Sequence, residues 1–262
     1  MNFIYPESVL EPRAPDELFR DEAEAMGRSG HKVHLIDTEA LASGPARIRP
    51  AVAPGERVAY RGWMLTPDEY RALAPSVERD GGVCLTSPDQ YLAAHYLPNW
   101  YGLVRDYTPE TAFFSVDADL VMALAELGWA RFFIKDFVKS LKTSVGAIIE
   151  RPDDVTAVIA EMEKFRGLIE GGLCVRRVEN FVPGSERRYF VLNGTAYAAA
   201  TDALLPEALL YCVGRIPSPF YSVDIAERED GVKRIVEIGD GQVSDLVGWT
   251  VERFVEMWRN AA

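Results

Sequence analysis

Short apolar runs alternate with amphipathic stretches over the first hundred residues, and this alternation predicts a small α/β layer. The predicted strands are residues 2–6, 31–37, 57–62 and 83–87. Residues 15–30 and 66–82 are predicted helices, because both begin with polar or acidic residues and end in glycine. Strands separated by helices favour a parallel sheet with helices on its faces.

A different pattern follows a proline-bearing segment, residues 96–111, which we predict to link two parts of the chain. We place a boundary near residue 105, between an N-terminal α/β lobe (1–105) and two α+β lobes (106–262). The predicted helices of the second part are residues 117–128, 153–172 and 244–260. Its predicted strands are residues 131–137, 146–150, 173–182, 220–227 and 233–239, with a hairpin over 186–200.

The charge of the chain excludes several classes of protein. Its 262 residues include 28 Lys and Arg against 40 Asp and Glu, a formal net charge of -12. This charge repels phosphate backbones and anionic lipid, so we expect neither nucleic-acid nor membrane binding. The acidic residues among the first 20 positions are unlike a signal peptide, which predicts a cytoplasmic protein. The three cysteines and three histidines are too scattered to suggest disulfides or a zinc site.

Lysines are concentrated at the end of the apolar strand predicted at 131–137. Lys135, Lys139 and Lys142 precede a run of small and polar residues, 143–146. A lysine beside a loop that offers hydroxyl and N–H groups can hold triphosphate oxygens. An ordinary solvated loop is the alternative. The sequence has neither a GxxxxGK[ST] nor a GxGxxG motif, which excludes a Walker-type phosphate loop and gives no support to a dinucleotide-binding fold.

Two carboxylates, Glu179 and Glu186, flank a predicted strand-to-turn corner with the sequence VENFVPGSE. Exposed backbone at such a corner can bond an adenine edge while one acid takes ribose hydroxyls. The alternative is that both glutamates only solubilise the ends of strands.

Asp224 and Glu237 lie on consecutive predicted strands joined by a turn, and Asp240 follows in the sequence EIGDGQ. Acids on antiparallel neighbours can face each other, and hard oxygen ligands bridged to phosphate are what magnesium requires. Alternatively, Asp224 pairs with Lys233 or Arg234 across the hairpin.

Arg61 follows a predicted strand of the first lobe, where an α/β sheet would open towards a cleft. Its planar fork could bind a substrate carboxylate or a phosphate. A surface ion pair with Glu56 or Asp68 is the alternative.

Taken in chain order, three motifs resemble the ATP-grasp superfamily of carboxylate ligases. They are the lysine strand with its small-residue loop, the Glu-x-Phe-Val-x-Gly-x-Glu corner, and the Asp strand followed by Val-Glu-Ile. The resemblance covers residues 106–245 and is greatest to the small proteins of the clade named for two arginines and a lysine. It implies an N-terminal α/β lobe followed by two α+β lobes that clamp ATP, and a carboxylate–amine ligase that works through an acyl phosphate.

The resemblance also implies a nucleotide site. Lys135 and Lys139 would bind phosphates beneath a loop running through Ser144 and Gly146. The residues implied to hold adenine and ribose are Glu179, Asn180, Phe181, Val182 and Glu186.

The metal site implied by the resemblance departs from the family pattern. The implied Mg²⁺ ligands are Asp224, Glu237 and Asp240, and the implied contacts to phosphate or substrate are Arg61 and Arg188. Many family members have an asparagine two residues after the metal-binding glutamate, where this sequence has Gly239. Either Asp240 supplies the third ligand or the metal site is incomplete.

Two other functions stay open from the residues alone. A strand lysine with paired acids would also suit a kinase-like phosphotransferase, and Gly239 fits a non-catalytic nucleotide-binding protein. A ligase would use ATP, Mg²⁺ and small-molecule or peptide carboxylate and amine substrates. The apolar face of the predicted C-terminal helix packs either internally or against a second copy in a homodimer.

Overall fold

A computed structural model describes residues 1–138, 147–166 and 169–260 of the chain. Lys139, Ser144 and Gly146, which the resemblance assigns to the nucleotide site, lie outside the described residues. The described part contains three β-sheets with helices packed on them, as the α/β plus α+β prediction requires. No helix in this part is long and apolar enough to cross a membrane.

The first sheet confirms the predicted parallel α/β layer. Its strands are β1 (Asn2–Pro6), β2 (Lys32–Ile36), β3 (Ile48–Arg49), β4 (Arg57–Tyr60) and β5 (Val83–Cys84). Their spatial order is β3-β2-β1-β4-β5, and only β3 runs antiparallel to its neighbour. The central strand β1 is buried along its whole length, as expected for a sheet covered on both faces.

Two of the predicted helices connect strands of the first sheet, one between β1 and β2 and one between β4 and β5. The helix predicted over 15–30 is shorter, because Asp16 caps a single 3₁₀ turn and α1 (Arg20–Arg28) begins only after it. The second, α2 (Pro67–Glu78), begins at a capping box in which Thr66 accepts from the backbone of Glu69.

The segment predicted as a link is largely helical. Ser87 caps α3 (Pro88–His95), and α4 (Leu97–Val104) follows after one residue. Pro98 lies in the first turn of α4, where a missing N–H costs no helical hydrogen bond, so the proline does not prevent this helix.

The second sheet is antiparallel and carries the predicted lysine strand. Its strands are β6 (Thr111–Phe114), β7 (Phe132–Asp136), β8 (Ile148–Ile149) and β9 (Leu173–Arg177), in the spatial order β6-β9-β7-β8. The helices α5 (Leu120–Leu127) and α6 (Val155–Arg166) contribute buried residues to the same core as β7 and β9.

The third sheet is also antiparallel. Its strands are β10 (Arg187–Leu192), β11 (Thr195–Ala198), β12 (Phe220–Glu227) and β13 (Lys233–Asp240), in the spatial order β11-β10-β12-β13. Asn193 and Gly194, both with positive φ, form the two-residue turn of the β10–β11 hairpin. The ladder between β12 and β13 contains a bulge: Asp224 is opposite Glu237, Ile225 is opposite Ile235, and Val236 is the extra residue.

Two further helices complete the fold, α7 (Glu207–Cys212) and α8 (Val251–Asn260). The apolar face of α8 packs internally, because Phe254, Val255 and Trp258 share a buried cluster with β1. The rings of Phe3 and Trp258 meet edge to face with centroids 4.8 Å apart.

Candidate functional site

Lys135 of β7 and Glu237 of β13 meet where the second and third sheets face each other. The Lys135 side chain is 3% exposed, and its Nζ lies 2.9 Å from Glu237 Oε1 and 3.4 Å from the carbonyl oxygen of Val138. A buried ammonium needs such partners, since an unpaired charge in the interior is very costly. The two sheets therefore bring a cation from the lysine strand to one of the predicted acids.

A second ion pair lies beside the first. Arg188 of β10 is opposite Asp224 of β12, and its Nε and Nη2 donate to the two carboxylate oxygens at 2.8 and 2.6 Å. Asp224 is in turn opposite Glu237 on β13, so the four side chains form one cluster with balanced charge. The partner of Asp224 is thus Arg188, and not Lys233 or Arg234.

The two acids of this cluster differ in their ionisation. Burial acts to raise the pKa of Glu237, but Lys135, Arg188 and Arg176 outweigh it and hold the pKa below its ordinary value. Burial raises the pKa of Asp224, and the bidentate contact with Arg188 only partly offsets this rise. Glu237 is therefore the better anionic ligand of the two.

A cavity of about 270 Å³ opens beside Lys135 and Glu237, between the second and third sheets. We call it the apolar pocket. Its lining includes Phe133, Lys135, Ile148, Arg176, Glu179, Phe181, Glu186, Val236 and Glu237. A flat base fits between apolar side chains, while acids at the rim can take hydroxyl groups and the lysine can take phosphate.

Residues 179–182, implied to hold adenine, are called the hinge here, and the side chains of Arg131 and Arg234 fix them. Arg234 of β13 donates to both carboxylate oxygens of Glu179, each at 3.0 Å. The Asn180 side chain accepts a hydrogen bond of 2.6 Å from Arg131. Glu179 lines the apolar pocket, and Asn180 is turned to Arg131 at its edge.

The rest of the hinge pairs with the end of β12. The N–H of Val182 donates to the carbonyl of Glu227 at 2.8 Å, so it is already bonded and is not available to a base. Phe181 forms an antiparallel bridge with Arg228 in which neither residue bonds the other directly, so its own N–H and C=O point away from that strand. Phe181, which lines the apolar pocket, therefore offers the better backbone contact.

A second and larger space, about 910 Å³, lies along the third sheet. We call it the outer groove. Its lining includes Glu186, Arg188, Tyr189, Ala198, Ala199, Ala200, Asp224, Glu237 and Gly248. Glu186 and Glu237 line both the groove and the apolar pocket, so the charged cluster stands between two adjoining spaces.

Arg61 requires a correction, because it faces neither space. It is 2% exposed and makes a two-point ion pair with Glu22 of α1, with N–O distances of 2.8 and 2.7 Å. Its Nη1 donates to the carbonyls of Gly241 and Ser244 at 2.6 and 3.0 Å. With these donors engaged, Arg61 joins the first sheet to the segment after β13 and does not bind substrate. The predicted surface pairs with Glu56 or Asp68 are also replaced by Glu22.

Replacing Arg61 by Ala should therefore destabilise the protein without changing the nucleotide site. Removing one partner of a buried pair leaves the Glu22 charge uncompensated, which lowers the free energy of unfolding by ~3–5 kcal/mol. ATP affinity below the unfolding transition should stay within about twofold of wild type, since distant sites act independently. Urea unfolding and calorimetric ATP binding measure the two quantities. A large loss of affinity in a folded variant would restore a binding role for Arg61.

Asp240 also requires a correction, because it faces away from Glu237. From Glu237 to Asp240 the strand alternates without a bulge, so these side chains lie on opposite faces of the sheet. Asp240 is fully buried; its Oδ1 accepts from the backbone and side-chain nitrogens of Gln242, each at 3.0 Å, and its Oδ2 has no hydrogen-bond partner among the described residues. It cannot complete a metal site with Asp224 and Glu237.

Asp240 should instead make stability fall as the pH rises. Burial raises the pKa of Asp240 to about 7, against about 3.9 in an unfolded chain. The folded state therefore binds this proton more tightly, and its advantage is lost progressively between about pH 4 and pH 7. Asp240→Asn keeps an acceptor for Gln242, so its melting temperature should exceed that of wild type by ~5 °C near pH 8 and by much less near pH 5. An equal difference at both pH values would contradict this assignment.

The remaining acids, Asp224 and Glu237, fit one divalent cation shared with phosphate oxygens. Mg²⁺ is commonly held by one or two carboxylates together with substrate phosphates and water. Among the described residues, no three His, Cys, Asp or Glu side chains form a metal-binding group. Because Arg188 occupies both oxygens of Asp224, cation binding there requires the guanidinium to yield at least one of them.

Arg176, which has no predicted role, also lines the apolar pocket. Its side chain is 5% exposed and lies over the Trp100 ring at 5.7 Å. Burial lowers its pKa. The available signal was an arginine directly after the apolar run Leu173 to Val175, within the strand predicted at 173–182.

Comparisons with known proteins identify the family and the fold. A family model described as an ATP-grasp domain, family 3 of the clade named for two arginines and a lysine, matches residues 126–258. The D-cycloserine synthetase DcsG has a similar fold, with a TM-score of 0.64, 13% identity and 99% of each chain covered. A RimK domain ATP-grasp protein from Sphaerobacter thermophilus gives a TM-score of 0.63 and 16% identity over 97% of this chain and 98% of that chain.

A third similar structure is the macrocyclase MdnC from Microcystis aeruginosa, bound with its precursor peptide MdnA. It has a TM-score of 0.60 and 13% identity, with 99% of this chain and 100% of that chain covered. No curated protein matches the sequence. At such identities the structures show the fold, whereas the family match extends over more than half of the chain. The chain therefore belongs to the ATP-grasp superfamily, in family 3 of the clade named for two arginines and a lysine.

Proposed function

We propose that the protein is an ATP-dependent carboxylate–amine ligase that activates its acid substrate as an acyl phosphate. One observation carries the proposal: Lys135, Arg188, Asp224 and Glu237 converge between a pocket of about 270 Å³ and an adjoining groove of about 910 Å³. A ligase needs this arrangement, because the γ-phosphate has to lie between the nucleotide and a second substrate.

The apolar pocket is assigned to the nucleoside of ATP. The base lies against Phe133, Ile148 and Phe181, and the backbone of Phe181 bonds its edge. Glu186 takes the ribose hydroxyls, and Lys135 takes phosphate oxygens in place of Glu237. Lys139, Ser144 and Gly146 are proposed to cover the phosphates, as the family resemblance implies.

Mg²⁺ is assigned to Glu237 and Asp224. When bound, it neutralises charge on the phosphate oxygens and makes the γ-phosphorus more electrophilic. Among the solved structures of similar fold, the ligase PsnB is complexed with a minimal precursor, Mg and ADP. The present chain offers two carboxylates on neighbouring strands as donors.

The reaction then needs little acid–base catalysis. An oxygen of the substrate carboxylate bonds to the γ-phosphorus as the bond to the bridging oxygen of ADP breaks. The amine nitrogen next bonds to the acyl carbon, phosphate leaves, and the amine proton passes to phosphate or solvent. Arg188 belongs to the cluster and lines the outer groove. It is therefore positioned to hold the substrate carboxylate and to stabilise the negative charge that develops during phosphoryl transfer.

The outer groove is assigned to the acid and amine substrates. Its small side chains, Ala198 to Ala200, and its volume of about 910 Å³ leave room for a peptide or for two small molecules. MdnC, which shares the fold, was solved with a precursor peptide.

The test measures ADP release from the purified protein with ATP, Mg²⁺ and a panel of carboxylates, each with and without amines. Hydroxylamine is added in a parallel series, because it converts an acyl phosphate into a stable hydroxamate. We expect turnover that depends on both substrates and a hydroxamate that needs ATP and the acid. The control is a Lys135→Met variant, which should give neither product.

The same assay separates the other two functions. A stable phosphorylated product that forms without amine would identify a kinase-like phosphotransferase. ATP binding without ADP release in any mixture would identify a non-catalytic nucleotide-binding protein. Two features favour this function: Arg188 bonds both carboxylate oxygens of Asp224, and Gly239 stands where many family members have an asparagine.

A further inference from the structure

The bulge at Val236 decides which residue faces Asp224. Ile225 is opposite Ile235, so a regular antiparallel ladder would place Val236 opposite Asp224 and turn Glu237 to the other face. The extra residue shifts the register by one and puts Glu237 opposite Asp224. The proposed pair of metal ligands therefore exists only because of the bulge.

Side chains from the second sheet and the segment before it hold this bulge. Arg176 Nη1 donates to the carbonyl of Val236, and Thr108 Oγ1 donates to the carbonyl of Ile235 at 2.9 Å. Both carbonyls belong to the two residues that immediately precede Glu237. The backbone of the bulge is thus bonded by two side chains from outside its own sheet.

The two holding residues are themselves fixed. Arg176 Nη2 donates to Thr108 Oγ1 at 3.0 Å, and its Nε donates to Thr111 Oγ1 at 3.3 Å. All three side chains are buried, with at most 9% exposed. We call Thr108, Thr111 and Arg176 the bulge clamp.

The geometry points to Arg176 and Thr108 as positioning residues for the metal carboxylate Glu237, a role that rests on the proposed function. The guanidinium uses its three nitrogens to bond Thr108, Thr111 and the Val236 carbonyl, so it acts through that carbonyl and not by binding phosphate. Because Arg176 and Val236 also line the apolar pocket, the clamp joins the floor of the nucleotide site to the metal ligand. Outer-shell partners of this kind commonly change metal affinity strongly when removed.

The test compares the wild-type protein with Arg176→Lys and Thr108→Val. Arg176→Lys keeps the positive charge but replaces the three-nitrogen fork by one ammonium. Thr108→Val keeps the side-chain shape and removes only the hydroxyl. Calorimetry measures ATP affinity with and without Mg²⁺, and the ratio of the two affinities reports metal coupling without any acid or amine substrate.

We expect the coupling ratio to fall by ~10-fold or more in both variants. Mg²⁺-free ATP affinity should change by about twofold or less in Thr108→Val, because Thr108 lines neither space. Arg215→Lys is the matched control, because Arg215 also lies over an aromatic ring, Tyr211, and donates to a carbonyl, yet lines neither space. It should leave the ratio unchanged.

Three results would overturn the proposal. A wild-type ratio in both folded variants would show that the bulge does not need the clamp. An equal loss of affinity with and without Mg²⁺ would show that Arg176 contacts the nucleotide. If Mg²⁺ does not change the ATP affinity of the wild-type protein, Glu237 is not a metal ligand. If Mg²⁺ changes that affinity as expected but no ligation occurs, only the ligase proposal is refuted. Thermal unfolding shows whether each variant is folded. If Arg176→Lys does not fold, the coupling ratio of Thr108→Val decides the test.

Discussion

Replacing Lys135 by Met should weaken ATP binding by ~10- to 100-fold, the value of a lost charge-assisted hydrogen bond. Met fills nearly the same buried volume, so the change removes the ammonium from beside Glu237 without opening a cavity. The carboxylate of Glu237 then faces the triphosphate without its compensating cation. Isothermal titration calorimetry with ATP and with adenosine should show the loss for ATP only, because adenosine carries no phosphate.

Lys32→Met is the control for this variant. Lys32 forms an ion pair with Glu56 at the surface of the first sheet and lines neither the apolar pocket nor the outer groove. It should bind ATP as wild type does. If Lys135→Met binds ATP with wild-type affinity, Lys135 does not contact the nucleotide.

Replacing Glu237 by Gln should reduce Mg²⁺-dependent turnover by a factor on the order of 100 to 1,000, the loss typical of one removed electrostatic contact at a reacting group. The amide keeps an oxygen for Lys135 but lacks the negative charge that attracts a hard cation. Affinity for Mg²⁺-free ATP should be equal to or greater than that of wild type, since a carboxylate no longer repels the phosphates. Steady-state ADP release and calorimetry without metal measure the two effects.

Glu227→Gln provides the comparison on the same sheet. Glu227 ends β12, and its side chain pairs with Lys233 at the surface. Glu227→Gln also removes a strand carboxylate that pairs with a lysine, but outside the cluster, so turnover should stay at the wild-type level. Unchanged turnover in Glu237→Gln would place the metal elsewhere.

Local sequence patterns predicted the strands that carry the site. The strands at Phe220–Glu227 and Lys233–Asp240 match the predictions at 220–227 and 233–239 closely, because apolar and polar residues alternate between clear turn signals. The sequence allowed Asp224 and Glu237 to face each other, and the register shows that they do. Their facing depends on the bulge at Val236, which the hairpin pattern alone does not predict. Lys135 also contacts Glu237. The family resemblance, and not any local pattern, implied that these two residues serve one site.

The positions that the sequence could not predict depend on partners far along the chain. Arg61 is bound to Glu22, a contact that replaces both of the nearby partners considered for it. The orientation of Asp240 depends on the alternation along β13, which the motif spacing alone does not reveal. Arg176 acts on Val236, 60 residues later in the sequence. Spacing and residue type describe a single strand well, but they contain no information on which carbonyl lies across a cleft.

The packing of α8 on β1 has a consequence for synthesis on the ribosome. The first sheet presents Phe3 and Tyr5 to a buried cluster that also needs Phe254 and Trp258 from the last helix. During translation this face stays exposed to solvent until residues 251–260 have left the exit tunnel. A nascent chain stalled before residue 251 should therefore remain sensitive to protease and bound by chaperones, although all the strands of the first sheet have already emerged.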